Sequence, residues 1–89
     1  MTATNIEALT VEYTKLIERE DEALNELTRC RKLISDAMDI IAKQAGVLEM
    51  DTVKQAAYHL HSMEQELNRK LFEIRLEKSM LAYRISHST

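Results

Sequence analysis

The sequence predicts an all-α fold, a long antiparallel helical hairpin with coiled-coil-like packing. Three observations carry this. The chain of 89 residues has no proline, one glycine and an abundance of good helix formers. Apolar positions recur at alternating steps of three and four over five heptads. A second periodic stretch follows after a short break that contains the glycine.

The first stretch is Ile6, Leu9, Tyr13, Leu16, Glu20, Ala23, Leu27, Cys30, Ile34, Ala37 and Ile41, with Glu20 the one charged member. It predicts a helix over about residues 5–45, roughly 60 Å long. Thr4-Asn5-Ile6-Glu7 has the pattern of a capping box, in which the Thr4 hydroxyl and the Glu7 carboxylate bond each other's backbone amides. Met1 to Ala3 are expected to be loose. Gly46 stands where a left-handed residue would end the helix. A turn over about residues 46–51 leads to a second helix over about residues 52–85, capped by Asp51 or by Thr52 in a second box with Gln55. Ser86 to Thr89, with His87, are expected to fray.

The second seam reads Val53, Ala56, Leu60, Met63, Leu67, Leu71, Ile74, Lys78, Leu81 and Ile85, with a stutter of two four-residue steps around Leu67. So short a turn permits only an antiparallel return. Facing residue numbers then sum to about 97, which places Ile34 against Met63, Cys30 against Leu67 and Leu16 against Leu81. The polar interruptions of the two seams fall at one level, Glu20 opposite Lys78. Their pairing sets the register, as a buried polar residue does in coiled coils. Charge agrees: residues 1–28 hold seven acids and two bases, and they would lie beside Arg69, Lys70, Arg75 and Lys78. Arg29, Arg31 and Lys32 would lie near Glu64 and Glu66.

A hairpin needs one apolar stripe per helix, and this chain has more. Tyr58, Phe72, Leu76 and Tyr83 cluster opposite the second seam, with Met80 beside them. Ile17, Leu24 and Met38 widen the first seam, and Leu33 and Ile40 lie on its far side near the turn. A face of this kind predicts burial on two sides. Homodimerisation into a four-helix bundle is the economical solution, with Leu33 and Ile40 meeting Phe72, Leu76 and Tyr83 of a second copy.

Catalytic, cofactor and metal sites are not expected. His59 and His61 point about 200° apart on a helix and cannot share a metal. Cys30 has apolar seam neighbours and no base to activate it, so it reads as core in a reducing compartment. Glu20 and Lys78 lack the convergent polar groups of an active site. A net charge of −3 and interleaved acids argue against nucleic acid. No apolar run approaches a membrane span, and residues 1–12 lack the pattern of a secretory signal, so a cytoplasmic place is expected. The function that fits is a small non-enzymatic protein-binding regulator, inhibitor or adaptor working through a helical face. The alternatives are a structural, assembly or chaperone-like coiled-coil component and a nucleic-acid-binding hairpin dimer.

Overall fold

The computed structural model describes residues 2–88. They form two helices, α1 (Thr2–Gln44) and α2 (Met50–His87), packed against each other along their length. The hairpin is a rod of 68 × 17 × 13 Å. Its length is that of α1 itself, at ~1.5 Å per residue.

In α1 the residues shielded from solvent are Ile6, Leu9, Tyr13, Leu16, Glu20, Ala23, Leu27, Cys30, Ile34, Ala37 and Ile41, and every other described side chain of this helix is exposed. The α1 seam is therefore the one the sequence predicts. The seam of α2 departs from the expectation at Met63, and near its start Ala57 is shielded as well as Ala56. Met63 is 47% exposed, whereas Glu64 is half-buried. The shielded positions run Val53, Ala57, Leu60, Glu64, Leu67, Leu71, Ile74, Lys78, Leu81, Ile85 and Ser88, an unbroken alternation of four and three. Ala56 and Ala82 flank this line and are also half-buried. The expected stutter is absent, because the phase set by the leucines on either side carries Glu64 inward and Met63 outward. The inward glutamate is accommodated by Arg31, whose Nε donates to Glu64 Oε1 at 3.2 Å. Arg31 also reaches Asn68 Oδ1 at 3.5 Å.

The deepest side chains are Leu16, Leu27, Cys30, Leu71, Ile74 and Leu81. Leu16, Ile74 and Leu81 form one cluster toward the open end, with Leu9, Tyr13 and Ala23 packed against it. This core is thin, as two helices alone must make it.

The helix ends depart from the expected boundaries. α1 begins at Thr2, so Thr4 is inside the helix rather than before it. Its side chain, Met1 and Thr89 lie outside what is described. The expected loosening of Ala3 is absent, since it is helical. At the turn, Val47 N donates to Gln44 O at 2.9 Å and Leu48 N to the same carbonyl at 3.1 Å. No described glycine has a positive φ, so Gly46 does not close α1 as a left-handed residue. α2 starts one residue before Asp51. Its N-cap is Glu49, in extended conformation without a side-chain cap bond, and neither Asp51 nor Thr52 has the capping role. The far end stays helical through His87. The His87 ring stacks on Tyr83 with centroids 3.9 Å apart, and its Nδ1 lies 2.8 Å from the Tyr83 carbonyl. A carbonyl only accepts, so Nδ1 carries the proton. Ser88 Oγ donates to Arg84 O at 2.6 Å.

Gly46 thus has ordinary backbone geometry, and a Cβ there would meet nothing within 4 Å. Replacing it narrows the unfolded ensemble without straining the fold. Gly46→Ala is expected to raise stability by about 0.4–1 kcal/mol, read as a higher melting temperature with unchanged helicity. A loss of stability would show that the turn needs glycine.

Candidate protein-binding surface

Polar contacts cross the seam where its charged members meet. Lys78 Nζ donates to Glu20 Oε1 at 2.6 Å, and Arg75 Nε donates to Glu20 Oε2 at 2.9 Å. The Glu20 side chain is 16% exposed and that of Lys78 26%, so both charges have given up water and each supplies the other's replacement. The Lys78 hydrogen bond, then that of Arg75, holds the Glu20 carboxyl below its ordinary 4.5. The same bond to Glu20 raises Lys78 above its ordinary 10.5. Arg19 and Glu77 approach to 3.9 Å on one flank. These cross-helix pairs, with Arg31 and Glu64, all fall where a fold about residues 48 and 49 places them.

Other charges stay on their own helix. Arg69 bridges Glu66 and Glu73 along α2, which lowers the Glu66 carboxyl and raises the guanidinium. Lys32 bonds Asp36 along α1 at 3.3 Å. Arg69 and Lys32, which the sequence places beside the acidic half of α1 and near Glu64 and Glu66, take partners on their own helices. An i,i+4 partner one turn away is reached with fewer frozen torsions than one on a neighbouring helix.

Large apolar side chains also stand exposed outside the seam. Phe72 is 65% exposed and Tyr83 64%, and Leu76 and Met80 are about half exposed. At ~100° per residue, these four lie roughly 130–170° around α2 from its seam, so α1 cannot cover them. Tyr58 is exposed on the same side, but 14 residues short of Phe72, or about 21 Å along the axis. It is a separate feature, divided from the patch by Ser62, Gln65 and Arg69. On α1, Leu33 and Ile40 are exposed near the turn. The register places them on one flank of the hairpin with Met63, whose exposure thus extends a second patch at the loop end. Met63 is the surface residue that the sequence pattern assigned to the core. The phase of its neighbours was the available signal.

The remaining features are a buried thiol, two exposed histidines and a groove. Cys30 is buried and unpaired by any disulfide, between Leu27 and Ile34 on the seam. His59 and His61 are both exposed, and no group of three or more metal-binding side chains occurs among the described residues. A groove of about 450 Å³ runs along the open end between the helices, floored by the buried Leu16 and Leu81 and edged by Glu12, Lys15, Arg19, Glu77, Met80 and Arg84. Its edge alternates in sign, with Arg19 turned to Glu77, and offers no nucleophile beside a base. Among the described residues no helix is long and apolar enough to cross a membrane. No family model, curated protein or solved structure matches the chain.

Proposed function

We propose that this chain is a small non-enzymatic protein-binding regulator or adaptor, acting in the cytoplasm as a homodimer through the helical faces its own fold leaves uncovered. One observation carries the reading: the stripe Phe72, Leu76, Met80 and Tyr83 stands exposed on the side of α2 that α1 cannot reach. Exposed patches of large apolar and aromatic side chains are the usual mark of an association surface. Their burial is worth roughly 1.5–3 kcal/mol per side chain before the costs of association. The loop-end patch of Leu33, Ile40 and Met63 is a second surface of the same kind.

The reading as a structural or assembly component draws on the same residues, with all of them occupied by self-association. The two are separated by one experiment. Tagged full-length protein, with Phe72→Ala and Leu76→Ala together, is compared with wild type for capture of a partner in stoichiometric amount. The regulator reading expects a defined partner that the double variant loses while its far-ultraviolet helicity is unchanged. Capture of no partner by wild type, with the variant altering only the oligomeric mass, would replace it with the structural reading.

A further inference from the structure

We infer that the outer face of α2 is the docking site of a second copy of this chain, paired antiparallel with its own outer face about a two-fold axis level with Glu77 and Lys78. The inference rests on the reading of this face as a protein-binding surface, and it names the partner.

The first support is area. The hairpin exposes 6929 Å², whereas a compact monomer of 10.3 kDa exposes about 5,400 Å². The excess of about 1,500 Å² is nearly twice the ~800 Å² that one partner contributes to a standard interface. A two-helix rod has this much surface to cover, and a closed symmetric dimer is the commonest way to cover it.

The second support is the order of side chains. The outer face of α2 has its own seam: Phe72, Leu76, Ser79, Tyr83, spaced four, three and four. Such a sequence is self-complementary when reversed. With the axis level with residues 77 and 78, Phe72 of each copy comes level with Tyr83 of the other, and Leu76 with Ser79. Met80, one residue on, extends the cover over Leu76 of the second copy. Each pair sets a large side chain beside another large one or beside a small one. Ser79, as near the axis as Leu76, leaves room there for the leucine of the other copy. Because the contact is isologous, every pair occurs twice.

The third support is charge. In the antiparallel arrangement Glu73 of one copy comes within about one turn of Arg84 of the other on the same flank, and this also occurs twice. The arrangement uses only the open half of each hairpin. It leaves the loop-end patch at both extremities of an extended dimer, free for a different protein. This revises the head-to-tail contact expected from the sequence, in which Leu33 and Ile40 met the Phe72 face. Those residues lie on a flank near the turn, and in this pairing they are far from the axis.

The test uses the full chain with Cys30→Ala as background, after its helicity and mass by light scattering are shown to match wild type. A single cysteine is placed at Ser79 or at Gln65, two positions on the same outer line, and each protein is oxidised mildly. The expected result is a dimeric mass, near-complete disulfide cross-linking through position 79 and none through position 65, whose two copies would stand about 38 Å apart. Leu76→Glu should weaken the dimer by about 100-fold or more, since the substitution enters the interface twice. Cross-linking at both positions would overturn the antiparallel register. A dimer indifferent to Leu76→Glu would overturn the choice of face. A monomeric wild type would overturn self-docking. If Phe72→Ala with Leu76→Ala then still abolished capture of a stoichiometric partner, the protein-binding reading would stand without it.

Discussion

Leu27→Ala is expected to cost about 2–5 kcal/mol, the usual range for emptying a well-packed leucine site. Leu27 is the most deeply buried large side chain, 2% exposed. The register places it level with Leu67, Leu71 and Ile74, midway along the rod, where neither a loop nor a helix end can fold in to fill the space. A helix pair also collapses poorly onto a void, because each backbone is held straight by its own hydrogen bonds. At about 4–8 °C per kcal/mol for a chain of this size, the melting temperature should fall by roughly 8–40 °C. Leu24→Ala is the matched control, one turn away and 41% exposed. It removes the same atoms from a half-wet site and should cost under about 1 kcal/mol. Equal losses from the two would mean that Leu24 is buried in the working assembly, and that the flank of Ile17, Leu24 and Met38 is also an interface.

The same contrast explains which parts of the molecule the sequence disclosed. The α1 seam could be read whole because its apolar residues share one phase over five heptads, and a single charged interruption does not disturb a phase fixed by ten neighbours. In α2 the choice at positions 63 and 64 set hydrophobicity against phase. Hydrophobicity favoured Met63, but Leu60, Leu67, Leu71 and Ile74 hold one line, and a helix cannot shift a single side chain by 100°. The line takes Glu64 inward, and Arg31 makes that tolerable. Helix ends were read least well, because capping motifs are short and compete with simple extension of a helix already stabilised by packing. Thr52 and Gln55 have the capping pattern, yet the helix begins before them at Met50. Gly46 has the residue type of a C-terminal stop without its conformation. For the candidate surface, the position of Phe72, Leu76, Met80 and Tyr83 opposite the seam followed from helical geometry alone. The identity of what covers them is not a property of the seam.

The Glu20–Lys78 pair makes the second large expected effect, and it tests the register itself. Lys78→Glu would set two carboxylates at hydrogen-bonding range on a seam where both side chains are largely withdrawn from water. Arg75 can neutralise one of them, and the other remains unpaired in a poor solvent for charge. A marked fall in melting temperature is expected, larger than for reversals on the outer faces. Reversals at Lys32 or Arg69 break only exposed pairs along one helix, and such pairs contribute little. Adding Glu20→Lys to Lys78→Glu restores an opposite-charge pair in the same place and should recover about half or more of the loss. Recovery is incomplete because Arg75 then faces a lysine. A double variant no more stable than Lys78→Glu alone would refute the pairing as the determinant of register.

The pH profile supplies an independent reading of this pair. Glu20 titrates below its ordinary 4.5 in the folded chain. Its contribution is therefore present above that value and is lost as pH falls through the depressed folded one. Lys78 titrates above its ordinary 10.5, so its contribution is complete below 10.5 and is lost only as pH rises through the raised folded value. Stability from the pair should be flat across neutral pH and fall on the acid side below about 4.5. Lys78→Met removes the larger of the two influences on Glu20 and leaves Arg75. The acid limb of the stability profile should then be shallower than in wild type, without becoming flat. Identical acid limbs would mean that Arg75 alone holds Glu20 ionised, and that Lys78 acts on the seam through its alkyl chain rather than through its charge.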